Sequence, residues 1–174
     1  MASRVSDLLK FSAGLLFCII ARWVPHPPNI EPIMGTMMPF AKKLGAFAGF
    51  AFAFIALASW DFVSGRLGMW TLYCALAYGA MGFLAAKFFA TRKPSALNFA
   101  GFAAVGTIVY DAVTALAFGF QFGQPLLLTF AGQVPFTAMH LLGNVAFAAI
   151  ASPLIYKYFV VAEESAPAAS AQRG

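Results

Sequence analysis

Apolar residues in this chain come in long unbroken runs, not in the alternation of a half-buried strand or the single stripe of a surface helix. Short clusters of proline, glycine and charge separate the runs. Six can be read off, at residues 8–24, 33–41, 44–61, 69–90, 97–118 and 134–161. The first is stopped by Pro25-His26-Pro27-Pro28, because proline lacks an N–H and disfavours helix in the residue before it. Lys42-Lys43 ends the second, the turn at 63–68 the third, and Arg92-Lys93-Pro94 the fourth. Residues 120–133 are apolar but broken by Gly and Pro, and are expected to form a connection. At 1.5 Å per residue the second run covers only about half of a 30 Å hydrocarbon layer, so it starts earlier, near Asn29, or is a partial helix.

Composition turns these runs into a statement about solvent. Of 174 residues, 61% are apolar and 10% charged, whereas a soluble domain carries roughly a quarter charged residues. So few charged side chains cannot cover a water-facing surface, and lipid is expected to be the main solvent. The predicted fold class is an all-α, six-helix transmembrane bundle. It forms one domain over 1–162, followed by an Ala/Ser/Pro-rich tail, 163–174, expected to be disordered and cytoplasmic. The first run leads to Arg22-Trp23 and Pro25 without a small-residue cleavage site, so it is expected to be a retained span. With both termini cytoplasmic, the inner side holds Arg4, Lys10, Lys42, Lys43, Lys87, Arg92, Lys93, Lys157 and Arg173, and the outer side only Arg22 and Arg66. An odd number of spans would put Lys42-Lys43 and Arg92-Lys93 on opposite sides. The basic residues flank spans and form no stripe for nucleic acid.

The polar residues inside the runs carry what chemistry there is. Asp111 lies well within the fifth run, where an ionised carboxylate costs about 2.5–3.5 kcal/mol on insertion scales, so it should face the bundle interior with a partner or a ligand. Tyr110 and Thr114 share its patch. His140 and Asn144, four residues apart, share one face of the sixth helix. Trp60, Asp61, Trp70 and Tyr73 gather at the outer ends of the third and fourth helices, where an interfacial aromatic belt accounts for the rings equally well. With Asn29 and Glu31 these groups can line an outward-facing pocket; alternatively they only fasten helix to helix. Small residues from Gly45 to Ala53 and from Ala75 to Gly82 predict close helix packing in lipid. Cys18 and Cys74 read as buried small hydrophobes. Ser59, Ser64 and Ser152 lie in no nucleophile motif, His26 and His140 are too few for a His-rich metal site, and no phosphate-binding glycine loop is present. The chain is expected to have no catalytic residues, metal or cofactor, and to need a partner for any ATP-driven step.

Four stretches carry a family resemblance. They are Pro28-Asn29-Ile30-Glu31-Pro32, Ser59-Trp60-Asp61-Phe62 with Gly68-Met69-Trp70-Thr71, Val109-Tyr110-Asp111, and residues 132–144 from Gly132-Gln133-Val134-Pro135 to Gly143-Asn144. In order and spacing they resemble the substrate-binding S components of energy-coupling factor (ECF) transporters, the vitamin importers of prokaryotes. The resemblance implies a vitamin-like substrate held near the outer surface, under the loop after the first helix, by Asn29, Trp70, Tyr73, Asp111, His140 and Asn144, with Asp61 as a further candidate. It also implies a multi-pass location in the prokaryotic cell (inner) membrane, and reorientation driven by a T component and two ATPase subunits. The family docks through Ala-x-x-x-Ala on the first helix; here Gly14 and Cys18, flanked by Ala13 and Ala21, stand at that spacing. Two other readings stay open: a structural or accessory membrane protein, and a stand-alone carrier that uses Asp111 as a proton relay.

Overall fold

The computed structural model describes residues 2–25 and 30–161, with side chains from Arg4 onward. Among them are six α-helices and no strand: α1 Ala2–Ala21, α2 Ile33–Leu44, α3 Ala46–Val63, α4 Met69–Ala90, α5 Ala96–Gln121 and α6 Leu126–Leu154, the last continued by a π-helical stretch Ile155–Val160. Four of these, α3, α4, α5 and α6 with its π-helical extension, are long and apolar enough to cross a membrane. The outer surface agrees: Phe47 is 86% exposed, Leu97 81% and Leu127 81%. Such a surface is unfavourable in water and matches lipid. α1 is also apolar on its outer side, at Leu8, Leu9, Leu16 and Ile20, but its first turns carry Arg4, Asp7 and Lys10.

Side-chain contacts run antiparallel between successive helices. Gly14 of α1 faces Phe40 of α2, Asp61 of α3 meets Thr71 of α4, Phe89 of α4 meets Phe99 of α5, and Asp111 of α5 meets His140 of α6. One end of the bundle therefore carries the α1–α2, α3–α4 and α5–α6 connections together with Trp60. The other carries the start of α1, Gly45 and the turn before Ser95. Arg22 and Arg66 stand at the Trp60 end; Arg4, Lys10, Lys42, Lys43, Lys87, Arg92, Lys93 and Lys157 stand at the opposite end, as the basic clusters of the sequence require.

Two boundaries differ from expectation, and the alternative left open for the second helix is decided. The first helix begins at Ala2 and stops before Arg22. The sixth begins at Leu126, so most of the expected connection is helical, and Pro135 lies inside the helix. Pro125 supplies the stop instead, and Gly123, at φ 63°, makes the turn before it. The second helix starts at Ile33 with Pro32 as its N-cap, which makes it a partial helix; Asn29 lies outside the described residues.

α2 is the hub. Every residue from Ile33 to Ala41 is buried, so this twelve-residue helix, about 18 Å long, is covered on all sides by the others. Pro39 sits inside it. A proline there has no N–H for the carbonyl four residues earlier, that of Gly35. The Ser152 hydroxyl of α6 donates to that carbonyl at 2.7 Å, so a defect in one helix is repaired by another. The crossing is close, because a Cβ on Gly35 would fall within 2.3 Å of the Phe147 ring. α3 and α4 approach closer still: a Cβ on Gly82 would lie 2.0 Å from the Gly49 carbonyl oxygen, and one on Gly49 2.4 Å from that of Gly82. The small residues of these spans thus let backbone touch backbone. At the far end of α6, Pro153 lacks the donor that would continue the helical register, and the chain turns π-helical two residues later.

Candidate functional site

α5 and α6 face each other through two polar rungs. In the first, His140 Nδ1 lies 2.8 Å from Asp111 Oδ1. One helical turn away, Asn144 Nδ2 donates to Thr107 Oγ1 at 2.9 Å. The four-residue spacing is the same on both helices, so the two pairs stack along one seam. α4 adds Tyr78, whose hydroxyl is 3.4 Å from His140 Nε2 and also lies beside Asn144. As a carboxylate Asp111 only accepts, which puts the ring hydrogen on Nδ1 and leaves Nε2 to accept from Tyr78. The Tyr110 ring packs against that of Tyr78 at 4.2 Å between centroids, tilted by 49°, and the rings of Tyr110 and Phe136 stand nearly perpendicular to that of His140.

The cluster is closed off from solvent. Asp111 is 1% exposed, His140 2% and Asn144 0%. Yet two of its acceptors, Asp111 Oδ2 and Asn144 Oδ1, have no hydrogen-bond donor. A buried acceptor left unmade costs about 1–3 kcal/mol, so the network is stable but incomplete. It lies near the middle of the bundle: Asp111 is ten residues, about 15 Å, from the end of α5. Over it runs the segment after α1, where Ile30 packs on Gly143 so tightly that a Cβ there would come within 2.8 Å. That segment is fastened by Arg22 and Glu31, whose side chains meet at 2.6 Å, while the Arg22 guanidinium lies over the Trp60 ring at 5.2 Å.

The residues expected to form one pocket fall into two groups. Asp111, His140 and Asn144 come together. Trp70 and Tyr73 sit toward the Trp60 end, both edge-on to Phe118 of α5. Trp70 donates its indole N–H to the Arg66 carbonyl at 2.7 Å and borders a cavity of about 460 Å³ with Phe118, Gln121 and Phe122. Asp61 is occupied locally: Thr71 Oγ1 donates to Oδ2 at 2.7 Å, and its carbonyl accepts from the Arg66 N–H at 2.8 Å. It pins the α3–α4 turn. Of the four α1 residues expected at a docking surface, Gly14 and Cys18 are buried and point into the bundle, Gly14 against Phe40 and Phe52. Ala13 is exposed and Ala21 half-buried.

Sequence reasoning missed Tyr78 and Thr107. Tyr78 stands nine residues into α4, too deep for an interfacial aromatic belt, and that depth was the available signal. Thr107 lies one turn before Asp111, as Asn144 lies one turn after His140 on the antiparallel partner, so the paired spacing pointed to it. Among the described residues no group of His, Cys, Asp and Glu is arranged to hold a metal ion. No family model, curated protein or solved structure matches the chain.

Proposed function

We propose that this chain is the substrate-binding subunit of a membrane importer, with its site built around Asp111, His140, Asn144 and Tyr78. The observation that carries the reading is the pair of buried acceptors without donors, Asp111 Oδ2 and Asn144 Oδ1. A small polar metabolite offering N–H or O–H groups would complete the network. The segment 30–32, latched by Arg22 and Glu31, is the part that would have to lift for entry. In this reading the termini are cytoplasmic in a prokaryotic inner membrane, the Trp60 end faces outward, and energy comes from a T component and two ATPases. The chain holds no nucleotide-binding loop of its own.

Mass spectrometry of metabolites released from the purified protein tests it. A single small molecule should be released from the wild type and be lost from Asp111→Asn and His140→Ala. If every folded variant binds that molecule as the wild type does, the site is wrong. If no metabolite accompanies the wild type and the variants only lower thermal stability, the cluster merely joins helices. The buried Asp111–His140 pair also favours a second reading, a proton-coupled carrier. That protein would take up substrate in vesicles with a proton gradient and no ATPase, and the importer would not.

A further inference from the structure

Away from the polar cluster, a cavity of about 330 Å³ opens between α1, α2 and the π-helical stretch. Ala13 and Phe17 of α1 form one wall, Phe159 the other, and Phe40 and Thr36 the floor. The walls reach the outer surface, since Phe17 is 44% and Phe159 38% exposed. The groove is open on that side to whatever surrounds the bundle. Its lining is almost wholly carbon, as a hydrocarbon chain requires.

The mouth is not apolar. Lys10 stands one turn before Ala13 and Gly14 on the same face of α1, and its ammonium donates to the Val160 carbonyl beside Phe159 at 3.5 Å. It thus bridges the two walls at the end of the bundle where basic residues collect. Arg4, Lys42, Lys43 and Lys157 share that end, against Asp7 as the acidic residue described there. A basic rim over an apolar slot between helices is complementary to an anionic lipid, headgroup at the charge and chain in the slot.

We propose that the groove between α1, α2 and the π-helical stretch binds one acyl chain of an anionic phospholipid, with Lys10 at its headgroup. The inference rests on the chain's lying in a bilayer and is independent of what the polar cluster binds. Native mass spectrometry of the delipidated full chain tests it, with phosphatidylglycerol or phosphatidylcholine added back. The wild type should retain one phosphatidylglycerol about tenfold more strongly than phosphatidylcholine. Ala13→Trp, which fills the slot from its exposed wall, should lose that bound lipid. Lys10→Gln keeps a donor for the Val160 carbonyl but not the charge, and should bring phosphatidylglycerol down to the level of phosphatidylcholine. Ile150→Trp, on the exposed face of α6, controls for a bulky substitution and should bind as the wild type does. Equal retention of the two lipids by the wild type, or undiminished binding by folded Ala13→Trp, overturns the proposal. So does efficient cross-linking of Ala13→Cys to another protein in native membranes, which would make the groove a protein interface.

Discussion

Replacing Ser152 by Ala removes the hydroxyl that satisfies the Gly35 carbonyl, a group that Pro39 leaves without an intrahelical donor. Ser152 is 0% exposed, so neither water nor lipid headgroups can step in. Hydrogen bonds between helices in membranes average about 0.6 kcal/mol and reach about 1.7, while an acceptor stranded in a buried site costs about 1–3. The orphaned carbonyl puts this bond at the upper end, so Ser152→Ala should destabilise the protein by about 1–2 kcal/mol. The double variant is the sharper case. Pro39→Ala restores an N–H four residues after Gly35, and in that background Ser152→Ala should cost less than about 0.5 kcal/mol. The coupling of about 1 kcal/mol is large enough to resolve. Equilibrium unfolding in mixed micelles, followed by circular dichroism, measures all four corners of the cycle. An equal cost of Ser152→Ala in both backgrounds refutes the link between proline and serine, and no cost in the wild type refutes the bond itself.

Other outcomes follow from the same geometry. Gly82→Val drives a branched side chain into the Gly49 carbonyl and should lower stability by about 2–3 kcal/mol; thermal unfolding in detergent checks it, with Gly101→Ala, at an exposed helical site with open space, as the comparison that should not lower it. Thr107→Val takes the acceptor from Asn144 and should cost about 1 kcal/mol, while His140, one turn away, keeps its bond to Asp111. Arg22→Ala leaves the Glu31 carboxylate without its partner and removes one of the two guanidinium groups, Arg22 and Arg66, that lie over Trp60. Faster proteolysis of the α1–α2 segment and a changed tryptophan emission should report it, and unchanged cleavage would show that the pair is no latch.

Much of this was legible in the chain because lipid imposes simple rules. The six runs, the small residues of α3 and α4, and the segregation of basic residues all follow from the cost of exposing polar groups to hydrocarbon. Asp111 and His140 stood out for the same reason, as polar groups in apolar surroundings. Tyr78 and Thr107 did not, since a tyrosine and a threonine are unremarkable inside a run, and only the partner helix gives them a role. The start of α6 was hidden because Gly123, Pro125 and Gly132 read together as one broken connection, although the chain is stopped only at Gly123 and Pro125 and Gly132 lies inside the helix. Gly14 and Cys18 illustrate a related ambiguity. Small residues four apart mark a close approach, but the sequence alone does not say whether the approaching surface belongs to another protein or, as here, to Phe40 and Phe52.

The burial of α2 bears on how the protein comes to exist at all. A helix of twelve residues, buried among its neighbours from Ile33 to Ala41, is too short to span a bilayer by itself. Its surroundings are supplied by α1, α3, α4 and, at Gly35, by α6, which follows them all in the chain. During biogenesis the early helices must therefore wait, with the Gly35 carbonyl open, until Ser152 arrives. Completion of the bundle around α2 is tied to α6, and a chain truncated before Ser152 should be held by the insertion machinery or degraded.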